Sequence, residues 1–175
     1  MTAVVVLFVG WIVLLGVAFY EYIDHDVIDI VDDDTVLVVV DPACADIRRL
    51  GDQIERPAED LERRRLQLDA VLAAARPIPP AVLDLDDDVL DGDQPAREWA
   101  RDWGRVIDAL TDYRQALAKD PATAAFRMPA TEDGYTVTFR MDTAVEDCVL
   151  PAAIESLAED PPRSVAEAER ATGLD

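Results

Sequence analysis

Aspartates and cysteines are the residues of this chain whose types and spacing are compatible with a chemical role. Six aspartates lie between positions 84 and 93, and carboxylates grouped at short spacing can bind Ca²⁺. Counted from Asp84, however, the EF-hand pattern fails, because Val89 stands where it requires Gly and Pro95 where it requires Glu. The run therefore indicates a solvated acidic loop, with an irregular divalent-cation site as the alternative. The candidate metal ligands are Asp84, Asp86, Asp88 and Asp91.

Cys44 and Cys148 are the only two cysteines in the sequence. An even pair in an oxidising compartment is naturally read as a disulfide, which here would close a loop of roughly 100 residues. In a reducing compartment the same residues would be small buried hydrophobes. A bridge requires the two Cα atoms to lie within about 7 Å, so the structure can test it.

Other signals of catalysis or cofactor binding are missing from the sequence. The single histidine, His25, lies between Asp24 and Asp26, where an exposed stalk is favoured over a metal ligand because adjacent residues point in different directions. There is no glycine-rich phosphate loop and no Gly-x-Ser-x-Gly elbow. We therefore assign no catalytic residue and no cofactor, with calcium as the open alternative, and favour a non-enzymatic protein.

The charge balance argues against partners whose phosphate groups are bound through basic residues. The chain has 37 acidic and 16 basic residues, which gives a formal net charge of −21. Nucleic acids and anionic lipid headgroups are bound through Lys and Arg that meet phosphate, and so strongly acidic a surface repels both. We therefore expect no nucleic-acid partner.

The amino-terminal segment predicts a membrane anchor. Residues 3–20 contain no charged residue, and with their neighbours they reach the roughly 30 Å of a bilayer's hydrocarbon core as a helix. The basic leader and small-x-small cleavage site of a signal peptide are absent, and Tyr20 and Tyr22 suit a membrane interface. We predict a transmembrane helix over residues 1–23, with the lipid bilayer as partner.

The remainder of the chain divides into three parts. Residues 24–40 are predicted as an acidic stalk or extended segment, because Thr35 to Val40 are mostly β-branched. A soluble helical domain is predicted over residues 41–160, starting where Asp41 could cap a helix and Pro42 could take its first position. Residues 161–175 form a polar tail. Because nothing basic follows the anchor before residue 48, we expect the amino terminus in the cytoplasm and the domain outside.

One long helix dominates the predicted domain. Its apolar residues are spaced 4, 3, 4, 3 and 4 apart, which places them along one face of a helix from about Ala96 to Lys119. The proline-rich run over residues 77–95 is predicted as a loop. Alternating apolar residues around Gly134 predict a β-hairpin at about 125–141. The face comprises Trp99, Trp103, Val106, Leu110, Tyr113 and Leu117.

The expected fold class is thus mainly α with a small β-hairpin: one N-terminal transmembrane helix plus a helical-bundle soluble domain. Three segments, DPACADIRRLGDQI, WARDWGRVIDALTDYRQALA and PATEDGYTVTFRM, together with the anchor and the second cysteine, carry a resemblance over about residues 1–155. With them the chain resembles small single-pass membrane-anchored proteins of high-GC Gram-positive bacteria for which no activity is known. That resemblance implies a setting in the cell membrane and no mechanism.

The expected role is that of a membrane-anchored envelope protein, a non-enzymatic interaction or accessory subunit that contacts another envelope protein. The alternative is a membrane-tethered binding module for a divalent cation or small ligand, using the aspartates from Asp84 to Asp93. A calcium-dependent shift in the melting temperature would distinguish the two, because a ligand that binds only the native state must stabilise it.

Overall fold

The computed structural model describes residues 30–131 and 134–158, and we number the helices from the first one in this range. The predicted anchor, His25, the beginning of the predicted stalk and the predicted tail over residues 161–175 lie outside the described residues. Within those residues no helix is both long enough and apolar enough to cross a bilayer. The helices are α1 (Asp34–Gln53), α2 (Leu61–Ala75), α3 (Ile78–Leu83), α4 (Asp87–Gly92), α5 (Gln94–Lys119), α6 (Val137–Ala144) and α7 (Ala152–Glu155).

The predicted extended segment before residue 41 is wrong, because α1 already begins at Asp34. The Asp33 carboxylate accepts a hydrogen bond from the Thr35 amide at 2.6 Å and so caps the helix. Val36 and Val40 are buried one turn apart, in line with Cys44. Burial of this face outweighs the preference of β-branched residues for strands, which is a small term.

Pro42 does not start a helix either, since it lies in the interior of α1. It cannot donate to the carbonyl of Val38, which normally weakens or bends a helix. The side chains of Pro42 and Val38 are both on the exposed side, whereas Ala43 and Ile47 on the other side are buried. The packed face therefore keeps the helix continuous through the proline.

The run over residues 77–95, predicted as a loop, contains two short helices instead. Ile78 and Val82 of α3 are buried, and so is Leu90 of α4. Proline at the first turn of α3 is compatible with a helix, because the amides there need no intrahelical partner. This segment is thus part of the core.

The prediction of the long helix is confirmed, with bounds of Gln94 and Lys119 for α5. All six residues of its predicted apolar face are buried. Helix α5 packs against α2, α3, α4 and α6, and α1 packs against α2 and α3. The described domain is therefore a helical bundle built around α5.

The predicted β-hairpin is wrong, because the described residues contain no strand and Val137 to Ala144 form helix α6. The turn itself exists: Gly134 has a φ of 81°, and the Gly134 amide donates to the Thr131 carbonyl at 3.0 Å. Among the described residues the turn is flanked by a single isolated bridge, between Ala130 before it and Thr136 after it. The alternation of residues 135–141 was misleading because Val137 and Met141, four apart, also share the buried face of a helix.

Candidate functional site

The candidate calcium ligands do not converge. Asp84 follows α3, Asp86 precedes α4, and the side chain of Asp91 receives a hydrogen bond from Arg97 at 3.1 Å. The same guanidinium nitrogen also donates to Asp87 at 3.1 Å. Nowhere in residues 30–131 and 134–158 do three or more His, Cys, Asp or Glu side chains form a group that could hold a metal ion. Most of the acidic run is therefore arranged as helix ends and surface ion pairs, whereas Asp93 is buried and accepts hydrogen bonds from the Asp32 and Asp33 amides.

The two cysteines lie together. Cys44 on α1 and Cys148 after α6 form a disulfide with a Cα to Cα distance of 4.8 Å, which meets the geometric condition for a bridge. Both residues are buried, and 104 positions separate them in the chain. The bridge joins the first described helix to the segment that leads into α7.

An open groove of about 480 Å³ runs beside this bridge. Its walls come from the second half of α1, from α6 and from residues 149–155. Of the apolar lining residues, Val149 is partly exposed and Ala152 is exposed, whereas Ile47 and Leu150 are buried. We call this feature the acidic groove, because three carboxylates also line it: Asp52, Asp142 and Glu155.

None of these three carboxylates forms an ion pair with another described residue. Arg48 is the one basic residue of the lining, and its guanidinium is engaged at the rim, where it donates to the Asp147 carbonyl at 3.0 Å. It also lies 3.8 Å from Asp41 and 3.9 Å from the Asp147 carboxylate. Among the described residues, the three carboxylates of the groove are thus not paired with a cation, and Arg48 is the one positive charge in the lining.

The carboxyl group of Asp142 has a raised pKa. Desolvation, and after it the negative charge of Glu155, raise the pKa of Asp142 to about 6, even though the residue as a whole is exposed. The Thr138 hydroxyl donates to Glu155 at 2.8 Å and fixes the position of that carboxylate. Desolvation and like charge therefore both act on the acidic groove.

Two stacked aromatic rings, one just before α6 and one on it, lie close to Asp142 in the chain. The Tyr135 and Phe139 ring centroids are 5.5 Å apart with an interplanar angle of 20°. The Phe139 side chain is unusually open for a phenylalanine, with 65% of its surface exposed. Phe139 and Asp142 are three residues apart on α6, so both lie on the same face of that helix. An exposed aromatic surface thus neighbours the carboxylates.

A smaller pocket of about 170 Å³ lies on the other side of Arg48. It is lined by Leu37 and Val40 of α1, by Val145 and by the carboxylates that contact Arg48. Those carboxylates already have a cationic neighbour, so this pocket lacks the surplus of charge found in the acidic groove.

Asp102, a carboxylate outside the acidic groove, helps to hold two helices together. Asp102 is completely buried on α5 and receives hydrogen bonds from Arg140 at 2.7 Å and from Arg105 at 3.3 Å. Burial raises the pKa of Asp102, and Arg140 offsets part of that effect. The Arg140 contact joins α5 to α6 and so orients the helix that presents Phe139 and Asp142.

The sequence signals did not identify the acidic groove. Its carboxylates come from α1, α6 and α7, more than 100 positions apart at the extremes, and they occur against a background of 37 acidic residues. Asp52, Asp142 and Glu155 share one surface only because residues 137–144 form a helix and Cys44 pairs with Cys148. Comparisons with protein-family models, with curated proteins and with solved structures find no match.

Proposed function

We propose that this chain is a non-enzymatic interaction subunit of the cell envelope, in which a disulfide-bridged helical domain contacts another envelope protein outside the cytoplasmic membrane. The observation that carries the proposal is the exposed Phe139, stacked on Tyr135 beside the acidic groove. Exposed aromatic residues next to a concave surface are typical of protein interfaces, where rings provide large contact areas at a small entropic cost.

The disulfide supports the compartment. Cys44 and Cys148 are both buried and bridged, and such structural bridges persist in oxidising surroundings such as the exterior of a bacterial membrane. The apolar run over residues 3–20 supports attachment to the membrane, on the evidence of the sequence alone.

The compartment can be tested by trapping thiols in growing cells. Acid quenching and denaturation in an alkylating reagent, without reductant, should leave Cys44 and Cys148 unmodified, whereas prior reduction should label both. Mass spectrometry of the intact chain distinguishes the two forms. Denaturation is essential, because buried thiols would escape the reagent even if they were reduced. Labelling of both residues without reductant would place the domain in a reducing compartment and contradict the proposal.

The interaction can be tested by site-specific crosslinking. A photoreactive phenylalanine analogue at position 139 should give a discrete crosslinked product in cells that express the full chain. The control position is Gln115, which is exposed on α5. Identical products from both positions, or none from position 139, would contradict an interface at Phe139.

A further inference from the structure

The acidic groove combines three properties that together specify a ligand. Its wall offers apolar surface at Val149 and Ala152, and buried Ile47 lies behind it on the α1 side of the lining. Its carboxylates lack cationic partners among the described residues. Phe139, whose ring is exposed, lies about one turn before the groove residue Asp142 on α6. A surface of this kind favours a ligand that carries both positive charges and apolar side chains.

We propose that the acidic groove binds a basic, amphipathic segment of the partner protein. Lys or Arg side chains of that segment pair with Asp52, Asp142 and Glu155, and its apolar side chains cover Val149 and Ala152. The aliphatic stems of these Lys or Arg side chains lie against the groove wall, as the stems of long basic side chains commonly do. Phe139 lies on the same face of α6 as Asp142 and offers its ring to a cationic group of the ligand. This inference rests on the proposed function, since it names the chemistry of the partner.

Charge complementarity identifies the partner as another molecule. The chain's own flanking segments are themselves acidic: residues 1–29 have four acidic residues and no Lys or Arg, and residues 159–175 have five acidic and two basic residues. A second copy would bring a further net charge of −21 towards the groove. Like charges brought together at an interface oppose association, so neither occupant matches the site.

Electrostatics also favours this ligand over a free cation. Burial and, after it, the negative charge of Glu155 raise the pKa of Asp142, and a cationic side chain beside the two carboxylates would offset the second effect. A metal ion would need several oxygen ligands around one point, and the described residues offer no such group. A peptide instead distributes its charges along the groove and covers the apolar wall as well.

The first test measures binding of a fluorescent synthetic peptide that alternates lysine and leucine, using the full chain in neutral detergent. We expect saturable binding. The groove variant combines Asp52→Asn, Asp142→Asn and Glu155→Gln, and should weaken binding by about tenfold or more. Glutamine at 155 keeps an acceptor for the Thr138 hydroxyl, and thermal unfolding followed by circular dichroism verifies that the variant is folded.

The matched control variant removes the same number of charges elsewhere, through Asp88→Asn, Asp108→Asn and Asp112→Asn. These residues are exposed on α4 and α5 and do not line the acidic groove. The control should bind within about twofold of the unaltered chain, because distant surface charges are screened at physiological ionic strength. Equal weakening by both variants would mean a general attraction to an acidic protein and would overturn the inference.

Two further peptides test the apolar contribution. A peptide with serine in place of leucine should bind clearly more weakly, and one with glutamate in place of lysine should not bind. If the serine peptide binds as tightly as the original, the apolar wall makes no contribution and the inference is wrong. If the glutamate peptide binds, charge complementarity does not select the ligand, and the inference is wrong in that case too.

Crosslinking separates failure of this inference from failure of the proposed function. The groove variant should lose the product formed from position 139 in cells, while the control variant should keep it. If both keep it, the chain binds its partner through Phe139 without the groove, so this inference fails and the proposed function stands. If the unaltered chain gives no product, the proposed function itself fails, whatever the synthetic peptides do.

Discussion

At the scale of single residues, Asp142 makes a prediction about pH. The pKa of its carboxyl is raised to about 6 in the folded chain, above an ordinary value near 4, so the folded state binds a proton more readily than the unfolded state. This contribution to stability is present at about pH 4 and is lost as the pH rises through about 6. Asp142→Asn should therefore raise the melting temperature at neutral pH and have less effect at about pH 4.

The control for this measurement is Asp112→Asn. Asp112 is exposed on α5 and does not line the acidic groove, so its replacement changes the net charge equally without altering the surroundings of Glu155. The informative quantity is the difference in melting temperature between the two variants as a function of pH. A difference that does not grow between about pH 4 and about pH 7 would contradict the raised pKa of Asp142.

The contact between Arg140 and Asp102 makes the second prediction. Arg140→Met would leave the buried Asp102 with only Arg105, at 3.3 Å, as a cationic partner. Breaking a fully buried pair costs about 3–5 kcal/mol, and because Arg140 is partly exposed we expect about 2–3 kcal/mol here. Chemical denaturation gives the free energy of unfolding.

The matched variant is Arg101→Met. Arg101 pairs with Glu98, but both side chains are about half exposed, so its loss should change stability by less than about 1 kcal/mol. Equal effects of the two substitutions would show that burial of Asp102 does not control the energetics of this contact.

At the scale of elements, the core of the bundle depends on the face of α5. Trp103 is completely buried, and its ring meets that of Trp99 at a centroid distance of 6.4 Å and an angle of 85°. Trp103→Ala should lower the free energy of unfolding by about 3–5 kcal/mol, because it removes that contact and leaves a cavity. Within the described residues the indole Nε1 of Trp103 has no acceptor, so Trp103→Phe leaves no partner unsatisfied and should cost clearly less.

Two glycines should respond to alanine in opposite directions. Gly134 has a φ of 81°, which alanine adopts only with strain, so Gly134→Ala should destabilise the chain by about 1–2 kcal/mol. Gly104 lies within α5, and a Cβ there would meet nothing within 4 Å. Gly104→Ala should stabilise by about 0.5–1 kcal/mol, because alanine restricts the unfolded chain more. Unfolding of both variants in urea measures the two effects, and a shift of the same sign would contradict one of them.

These elements also show which sequence signals were sufficient. Six apolar residues in regular 3 and 4 spacing identified α5, because no other structure places them on one face. The shorter runs were ambiguous. The segment Val36 to Val40 is mostly β-branched, and apolar and polar residues alternate from Val137 to Met141. Yet both segments are helical and bury residues that are four positions apart. Whether such a segment forms a strand or a helix depends on the residues that cover each of its faces, and these residues come from distant parts of the chain.

Sequence patterns could not predict the acidic groove, for the same reason. The number of cysteines predicts a Cys44–Cys148 bridge only for an oxidising compartment, and pairing does not say which side chains line the neighbouring surface. Asp52 and Glu155 become neighbours only because α1 and the segment before α7 meet at the bridge. A site built from three helices with no common spacing has no local signature.

At the scale of the whole molecule, the disulfide joins the two ends of the described domain. Because 104 positions separate its cysteines, the bridge removes much of the freedom of the unfolded chain, and loop-closure entropy for that length gives about 4–5 kcal/mol. The variant with Cys44→Ala and Cys148→Ala should therefore lose a large part of the stability of a typical domain, which is about 5–15 kcal/mol.

Reductant provides the internal control for this last prediction. It should lower the midpoint of urea unfolding of the unaltered chain and leave that of the double alanine variant unchanged, since that variant has no bridge to open. Loss of the bridge should also loosen the contact between α1 and residues 149–151, and with it the walls of the acidic groove. Binding of the lysine and leucine peptide should accordingly weaken in the double variant even at temperatures where the chain stays folded. An unchanged urea midpoint with normal peptide binding would mean that packing alone holds α1 against the end of the domain.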